Sequence, residues 1–518
     1  MSTQIRFELP DPAYEAYTWL LQDEFIPAAQ PPLLAGPDNP PGGQAIADPP
    51  RRLRINGYLY TRVGSTGPAL FGQPTVPESI HDLTRWRADW LPQVEALAHQ
   101  LESFDAATVQ TGDWAAILDE QDREYQRIFV GVHQATERPA WVAVNRFIEA
   151  FAASFGEERR QDAMALLHGF PNRSLDRSLA LWDLSRLVRA DPGLASALDS
   201  RAQWPESTLA LQFREEFGAC LREFGHTNSK EMQDAPTWGE DPSIPLAVVR
   251  AYARQADDRS PREAVHRQSD RRQALERDLR GRAGTDPSVA ALVPLMEIAQ
   301  QLVPVLEDHN LLADQRIAAA SRRRWLAIGH FLQQRGATAF PDDVFFYRRS
   351  ELVHALEQGA TLPQDELAQR RALHELCRAT PPPALLGMPL ALEQPLSDRN
   401  EAERHPSESL GPLVLRGAPA SAGSYRGRAR VVESFSDVSS LQGGDVLVCR
   451  STTPPWTPYF AIIGALITNS GGILSHGAVV AREFGIPAVV GTRNATALIP
   501  DGATVTVDGT AGVVIVEA

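Results

Sequence analysis

Lysine is nearly missing from this 518-residue chain: of 50 basic residues one is lysine, Lys230, and the other 49 are arginine. A P-loop needs a lysine directly after glycine to reach the β- and γ-phosphates, and Lys230 follows Ser229. A kinase-type V-A-I-K strand is missing as well, so the chain shows no nucleotide triphosphate site of its own. Cysteine is scarce. Cys220, Cys377 and Cys449 lie far apart, which excludes a disulfide framework and a paired-cysteine metal knuckle. Positive charge is in deficit, 65 acidic against 50 basic residues for a net −15, which argues against nucleic acid or an anionic membrane surface as the main partner. No run approaches the roughly 18 to 20 apolar residues of a membrane span. The first residues, Met1 to Tyr17, lack the basic-then-apolar order of a signal peptide. What remains is ordinary for a globular chain of two or three domains, with the cytoplasm as the expected compartment.

Residues 1–75 are mixed and loop-rich, punctuated by Pro31-Pro32 and by the Gly/Pro stretch from Gly36 to Gly43. The β-branched and aromatic run 54–63 is expected to be one strand with Gly57 as a bulge. From 76 to 378 the period becomes helical. Trp86, Trp90, Val94, Leu97 and Leu101 recur every three or four residues on one helix face, and similar patterns follow to about residue 358. This region is expected to be a large, mostly α-helical domain built by helix packing. Periodicity stops over 379–412, where Pro381-Pro382-Pro383, Pro389, Pro395 and Pro406 mark a semi-rigid linker. From 413 to 518, short β-rich runs at 428–432, 445–449, 465–468, 488–490, 504–507 and 513–516 alternate with turns and at least one helix. The expected fold there is a compact α/β (β/β/α) module.

The chemistry concentrates at Gly471-Gly472-Ile473-Leu474-Ser475-His476-Gly477, which continues through Ala478–Phe484 to Gly485-Ile486-Pro487. Ser475 is the expected N-cap of a short helix, Gly485 its left-handed end and Pro487 the stop. His476 thus sits on the first helical turn, where free amides and the positive helix end favour a dianionic group. A histidine there either caps the helix or attacks a phosphoryl group and holds it as a phosphoramidate.

The surrounding pattern, Gly-Gly-x-x-Ser-His-x-Ala-Val-Val-Ala-Arg-Glu-x-Gly-Ile-Pro-Ala-Val-Val-Gly, resembles the phosphohistidine motif of the phosphoenolpyruvate-utilising enzymes. Gly417-x-Pro419-Ala420-Ser421-x-Gly423, Gly427-Arg428-Ala429, Thr452-Thr453-Pro454-x-Trp456-Thr457-Pro458 and Val507-Asp508-Gly509-Thr510-x-Gly512 extend the likeness over essentially all of 413–518. The resemblance implies a swivelling domain with His476 as phosphoryl carrier and Ser475, Gly477 and Thr453 beside the phosphoryl group. Arg482 either contacts that group or pairs structurally.

Residues 1–378 resemble, more weakly, the helical acceptor domain of rifampicin phosphotransferase. Trp19-x-x-x-Asp23-Glu24 with Pro27, Asn56-Gly57-Tyr58-x-Tyr60, Leu167-x-Gly169-x-Pro171-Asn172, Phe224-Gly225-His226, Pro236-x-Trp238-x-Glu240-Asp241-Pro242 and Pro341-Asp342-Asp343-Val344-Phe345 occur in the family's order. Family members usually read Gly-His-Arg where this chain has Gly225-His226-Thr227, and Lys230 is a candidate replacement cation. With the sequence ending at Ala518, no pyruvate-binding barrel is expected.

The architecture is similar to the phosphorylating subunit of phenylphosphate synthase and related alkylphenol-phosphorylating enzymes. That similarity implies a separate ATP-grasp subunit that binds ATP with Mg2+ and phosphorylates His476. The swivelling domain then carries the group to a small hydroxylated aromatic acceptor, a phenol by first choice and a hydroxylated antibiotic by second. A non-catalytic phosphocarrier or scaffold is the third reading. His226 is the candidate base, against a core or supporting role. Trp19 and Trp238 are candidate acceptor contacts. Asp23, Glu24 and Glu240 orient the acceptor or a magnesium ion, unless they are caps and ion pairs. Arg322-Arg323-Arg324 cannot share one helix face and reads as a solvated patch.

Overall fold

The computed structural model describes residues 5–10, 12–21, 29–35, 52–63, 86–133, 136, 138–200, 202–228, 233–380, 382–383, 385–388, 413–433, 435–473 and 475–517. Asp23, Glu24 and Lys230 lie outside the described residues. Strands β1 (Thr18–Leu21), β2 (Arg52–Ile55), β3 (Tyr58–Arg62) and β4 (Leu385–Gly387) form an antiparallel sheet in the order β2-β3-β1-β4. Asn56 and Gly57 both take positive φ, 53° and 82°, as a two-residue hairpin turn demands. The stretch 54–63 is therefore a hairpin and not one bulged strand. A Cβ on Gly57 would also stand 2.6 Å from the Gln30 carbonyl oxygen.

Two expectations change in this sheet. Trp19 is no acceptor contact: it is fully buried, donates Nε1–H to the Tyr14 carbonyl at 2.9 Å and packs with Tyr14, Leu53 and Tyr60. Leu385–Gly387, inside the stretch read as a linker, pair with β1 as an edge strand.

The larger helices are α1 (Leu91–Glu102), α2 (Trp114–Val132), α3 (Arg138–Phe155), α4 (Arg173–Ala190), α5 (Thr208–Phe224), α6 (Ser243–Ala253), α7 (Pro261–Ala283), α8 (Leu292–His309), α9 (Gln315–Gln334), α10 (Arg349–Gln358) and α11 (Gln364–Ala379). They follow the sequence periodicity closely. Pro287–Gln334 is a helical path long and apolar enough to cross a membrane, with a mean hydropathy of 1.7 in its most apolar window. Its α8 portion lies along α3, burying Met296, Ala299 and Val303 beside Phe147 and Phe151. A wide π-helical turn, Asn310–Asp314, separates α8 from α9. Such turns add a residue to the helix and commonly mark functional sites.

The C-terminal region is an eight-stranded sheet in the order β5-β12-β11-β7-β8-β9-β10-β6. Its strands are β5 (Leu413–Arg416), β6 (Ala418–Ser421), β7 (Ser424–Val432), β8 (Val446–Cys449), β9 (Ala465–Thr468), β10 (Ala488–Val490), β11 (Thr504–Asp508) and β12 (Val513–Val516). Strands β7 to β10 run parallel and the outer strands antiparallel. A 3-10 turn, Pro454–Ala461, follows β8, and helix α12 (His476–Phe484) follows β9. Both emerge at the carboxyl ends of parallel strands, the side where α/β sheets place their ligands.

Candidate active site

His476 is the first residue of α12. Ser475 has the extended backbone of an N-cap, but its hydroxyl donates to the Gly472 carbonyl at 2.8 Å and makes no cap hydrogen bond to the helix. The helix amides are thus left to an incoming anion. Gly477 allows the close approach of β8's following loop: a Cβ there would stand 2.6 Å from Thr452 Oγ1. Gly485 ends the helix in the left-handed conformation, φ 66°, as expected.

The imidazole faces the helical region. His476 Nδ1 lies 3.6 Å from Glu307 Oε2, an ion-pair separation longer than a hydrogen bond. That carboxylate oxygen is buried and has no hydrogen-bond partner among the described residues. Burial opposes its charge, yet the His476 and His309 imidazoles and the Arg177 guanidinium outweigh burial and hold the Glu307 carboxyl below the usual carboxylate range. On the other side of the ring, Nε2 is 3.4 Å from Thr457 Oγ1, which itself donates to the Pro454 carbonyl at 2.8 Å. The residue at the ring is thus Thr457. Thr453, the expected neighbour, is the buried cap of the 3-10 turn.

Arg177 supplies the cation at this junction. Fully buried on α4, it donates to the Pro454 carbonyl at 2.6 Å and to Thr227 Oγ1 at 3.3 Å, and stacks over the Trp238 ring at 5.5 Å. The Thr227 hydroxyl thus anchors an arginine brought from another helix. Backbone bonds from Trp238 N to Thr227 O (2.8 Å) and from Gly239 N to Gly225 O (2.9 Å) join the Phe224-Gly225-His226 and Trp238-x-Glu240 motifs.

His226 sits behind this layer, its Nε2 donating to the Leu311 carbonyl at 3.1 Å. Burial, chiefly, pulls its pKa down to about 4. A histidine whose folded pKa lies below its unfolded value, about 6.5, favours the folded state above that unfolded value, and the contribution is lost as pH falls towards 4. His226→Gln is expected to flatten the loss of stability between about pH 6.5 and 4 in urea titrations; an unchanged slope would contradict the assignment.

Glu240 receives Arg322 Nε on both carboxylate oxygens at 3.0 Å and caps Thr237 N at 2.8 Å, so it is an ion-pair partner in this structure. Arg322 and Arg324 are buried, and only Arg323 of that triplet is solvated, which corrects the solvated-patch reading. Long buried arginines survive there because Glu240 and Asp342 compensate Arg322 and the Phe104 ring faces Arg324.

Arg482 points away from His476. Its Nε donates to His168 Nε2 at 2.7 Å and its Nη1 to the Ala420 carbonyl at 2.7 Å, and burial brings it down to about 10. Glu483 accepts from His168 Nδ1 and from the Gly169 amide, both at 3.2 Å. The Leu167-x-Gly169 motif is therefore the dock for α12. Sequence reasoning missed Glu307, Thr457, Arg177, His168 and Glu483. The visible signals were Glu307-Asp308-His309-Asn310, four consecutive polar residues at the end of an apolar helix, and the places of Thr457 and Glu483 inside the C-terminal motifs.

Two family profiles match the chain: the PEP-utilising enzyme mobile domain over residues 441–512, and the rifampicin phosphotransferase fourth domain over residues 135–307. The chain is 32% identical to chondramide synthase of Chondromyces crocatus over 89% of its own length and 12% of that protein. It is 28% identical to the uncharacterised phosphotransferase YvkC of Bacillus subtilis, over 73% of this chain and 46% of the relative. It is 30% identical to a rifampicin phosphotransferase of Streptomyces sp, over 69% and 41%. The chain thus spans less than half the length of each of these relatives.

Proposed function

We propose that this chain is a phosphotransferase in which His476 passes a phosphoryl group to a hydroxyl held by the helical region, a reading supported by the matches to the PEP-utilising enzyme mobile domain and the rifampicin phosphotransferase fourth domain. The observation that carries the proposal is the placement of His476 against Glu307, a buried carboxylate of α8. A carboxylate at Nδ1 holds the proton on that nitrogen and leaves the Nε2 lone pair to take the phosphoryl group. It also repels a dianion from Nδ1. In the transfer, the acceptor oxygen bonds to phosphorus as the phosphorus–Nε2 bond breaks, and the acceptor proton passes to a base. Arg177 stabilises the charge spread over the phosphoryl oxygens.

The donor side of the proposal is a separate ATP-grasp chain that holds ATP and Mg2+. Two transfers need two dry, charge-stabilised sites, which one histidine serves only by relocating. A phenolic acceptor remains the first choice. The likeness to a rifampicin phosphotransferase favours a second reading, a larger hydroxylated natural product inactivated by phosphorylation.

Phosphoramidate, a small phosphoryl donor to imidazoles, tests the acceptor side without the ATP-grasp chain. After loading His476 and removing excess donor, phenol is expected to yield phenyl phosphate in a single turnover. Transfer to bulky polyketides but not to phenols would select the second acceptor class. A loaded chain that loses its phosphate only to water would contradict both and leave the scaffold reading.

A further inference from the structure

We infer that His133, His309 and Asp314 form a binding site for one divalent transition-metal ion. The three side chains come from the end of α2 and from the two edges of the wide turn between α8 and α9, and their ligand atoms all lie within 4.8 Å of one another. Both histidines are buried.

The tautomers make the case. His133 Nδ1 is 2.7 Å from the Phe129 carbonyl and His309 Nδ1 is 3.0 Å from the Val305 carbonyl. A carbonyl only accepts, so each Nδ1 carries a proton and Nε2 is the ring nitrogen turned toward Asp314. Those two Nε2 atoms face the same oxygen, Asp314 Oδ2, at 3.4 and 3.8 Å. Three ligand atoms from three side chains thus converge on one point, an arrangement that a bound cation satisfies. The other carboxylate oxygen, Asp314 Oδ1, is buried with no hydrogen-bond partner among the described residues. No arginine pairs with Asp314 among the described residues; its ion-pair partners there are the two imidazoles.

Size and chemistry fit the same answer. Donors about 2.0–2.2 Å from an ion stand roughly 3.0–3.5 Å apart, so small ring rotations close the site. A histidine that ligates through one nitrogen and donates the other N–H to a carbonyl is the usual arrangement around a metal. Two imidazoles and one carboxylate suit zinc-like first-row ions better than Mg2+ or Ca2+, which take oxygen. Three protein ligands leave further positions for water or for an oxygen of a bound molecule. The wide turn has a reason in this reading: it sets His309 and Asp314, five residues apart, around one point.

The test uses the full chain stripped with a chelator and titrated with Zn2+ or Co2+ alone. One equivalent is expected to bind at micromolar concentration or below, with visible d–d absorption for Co2+ and a higher Tm for the zinc form. His309→Ala and Asp314→Asn are each expected to weaken binding by at least about 100-fold, whereas His354→Gln, an exposed control, leaves it unchanged. If a variant fails to fold, X-ray absorption of the wild-type zinc form decides, with two imidazoles expected in the first shell. Absence of stoichiometric binding, equal affinity in both variants, or fewer than two imidazoles would overturn the assignment.

Discussion

Glu307→Gln is expected to leave phosphoryl uptake by His476 intact and to slow delivery to an acceptor by about 100- to 1,000-fold. Glutamine keeps the shape of the side chain and removes its charge. The Nδ1 proton then loses the carboxylate that fixes it, and the imidazole is no longer held with Nε2 available. Because Glu307 belongs to α8 and His476 to α12, the contact exists only while the two regions are docked. Uptake from ATP in the separate site proposed for it is therefore indifferent to the substitution. Single-turnover measurement of each half-reaction separates the two. Equal losses in both would reduce Glu307 to a support of the fold, and no loss in delivery would remove it from the mechanism.

Glu483→Ala is expected to loosen the dock between α12 and the helical region by about 3 kcal/mol, the scale for removing one member of a buried charged pair. His168 Nδ1 and the Gly169 amide lose their acceptor, and Arg482 is left buried beside His168 without the adjacent carboxylate. Burial, the largest influence on His168, already disfavours its charged form, so the imidazole does not relieve the loss by protonating. Hydrogen exchange at the Gly169 amide reads the effect directly, with an expected acceleration of roughly 100-fold. Unchanged protection would mean that the Arg177–Pro454 hydrogen bond and the apolar cluster containing Trp182, Tyr252, Tyr459 and Phe460 hold the dock without Glu483.

His476 was legible because its signal is local. Glycines, a helix start and a stop sit within seventeen consecutive residues, 471–487, and each has its own backbone requirement. The helices of the first region were legible for the same reason, since a 3.6-residue period is written into each segment separately. Glu307 and Arg177 were not. Each becomes meaningful only when α4, α8 and the turn after β8 converge, and a lone buried charge leaves no periodic trace. Arg322 shows the reverse error: adjacency in sequence suggested solvation, while Glu240 and Asp342, 82 and 20 residues away, bury it. Trp19 was drawn into the site by its place in a motif. In the structure that motif begins at a small sheet, where Trp19 is the core. The Asn56-Gly57 pair was readable as a hairpin turn, and a preference for one long strand hid it.

The most direct measurement is the intact mass of the purified chain after ATP and Mg2+, with and without an ATP-grasp protein. A single acid-labile phosphoryl adduct that requires the ATP-grasp protein and disappears in His476→Ala is the predicted result. An adduct that persists in His476→Ala, or none under either condition with a competent donor, would contradict the claim that His476 carries the phosphoryl group.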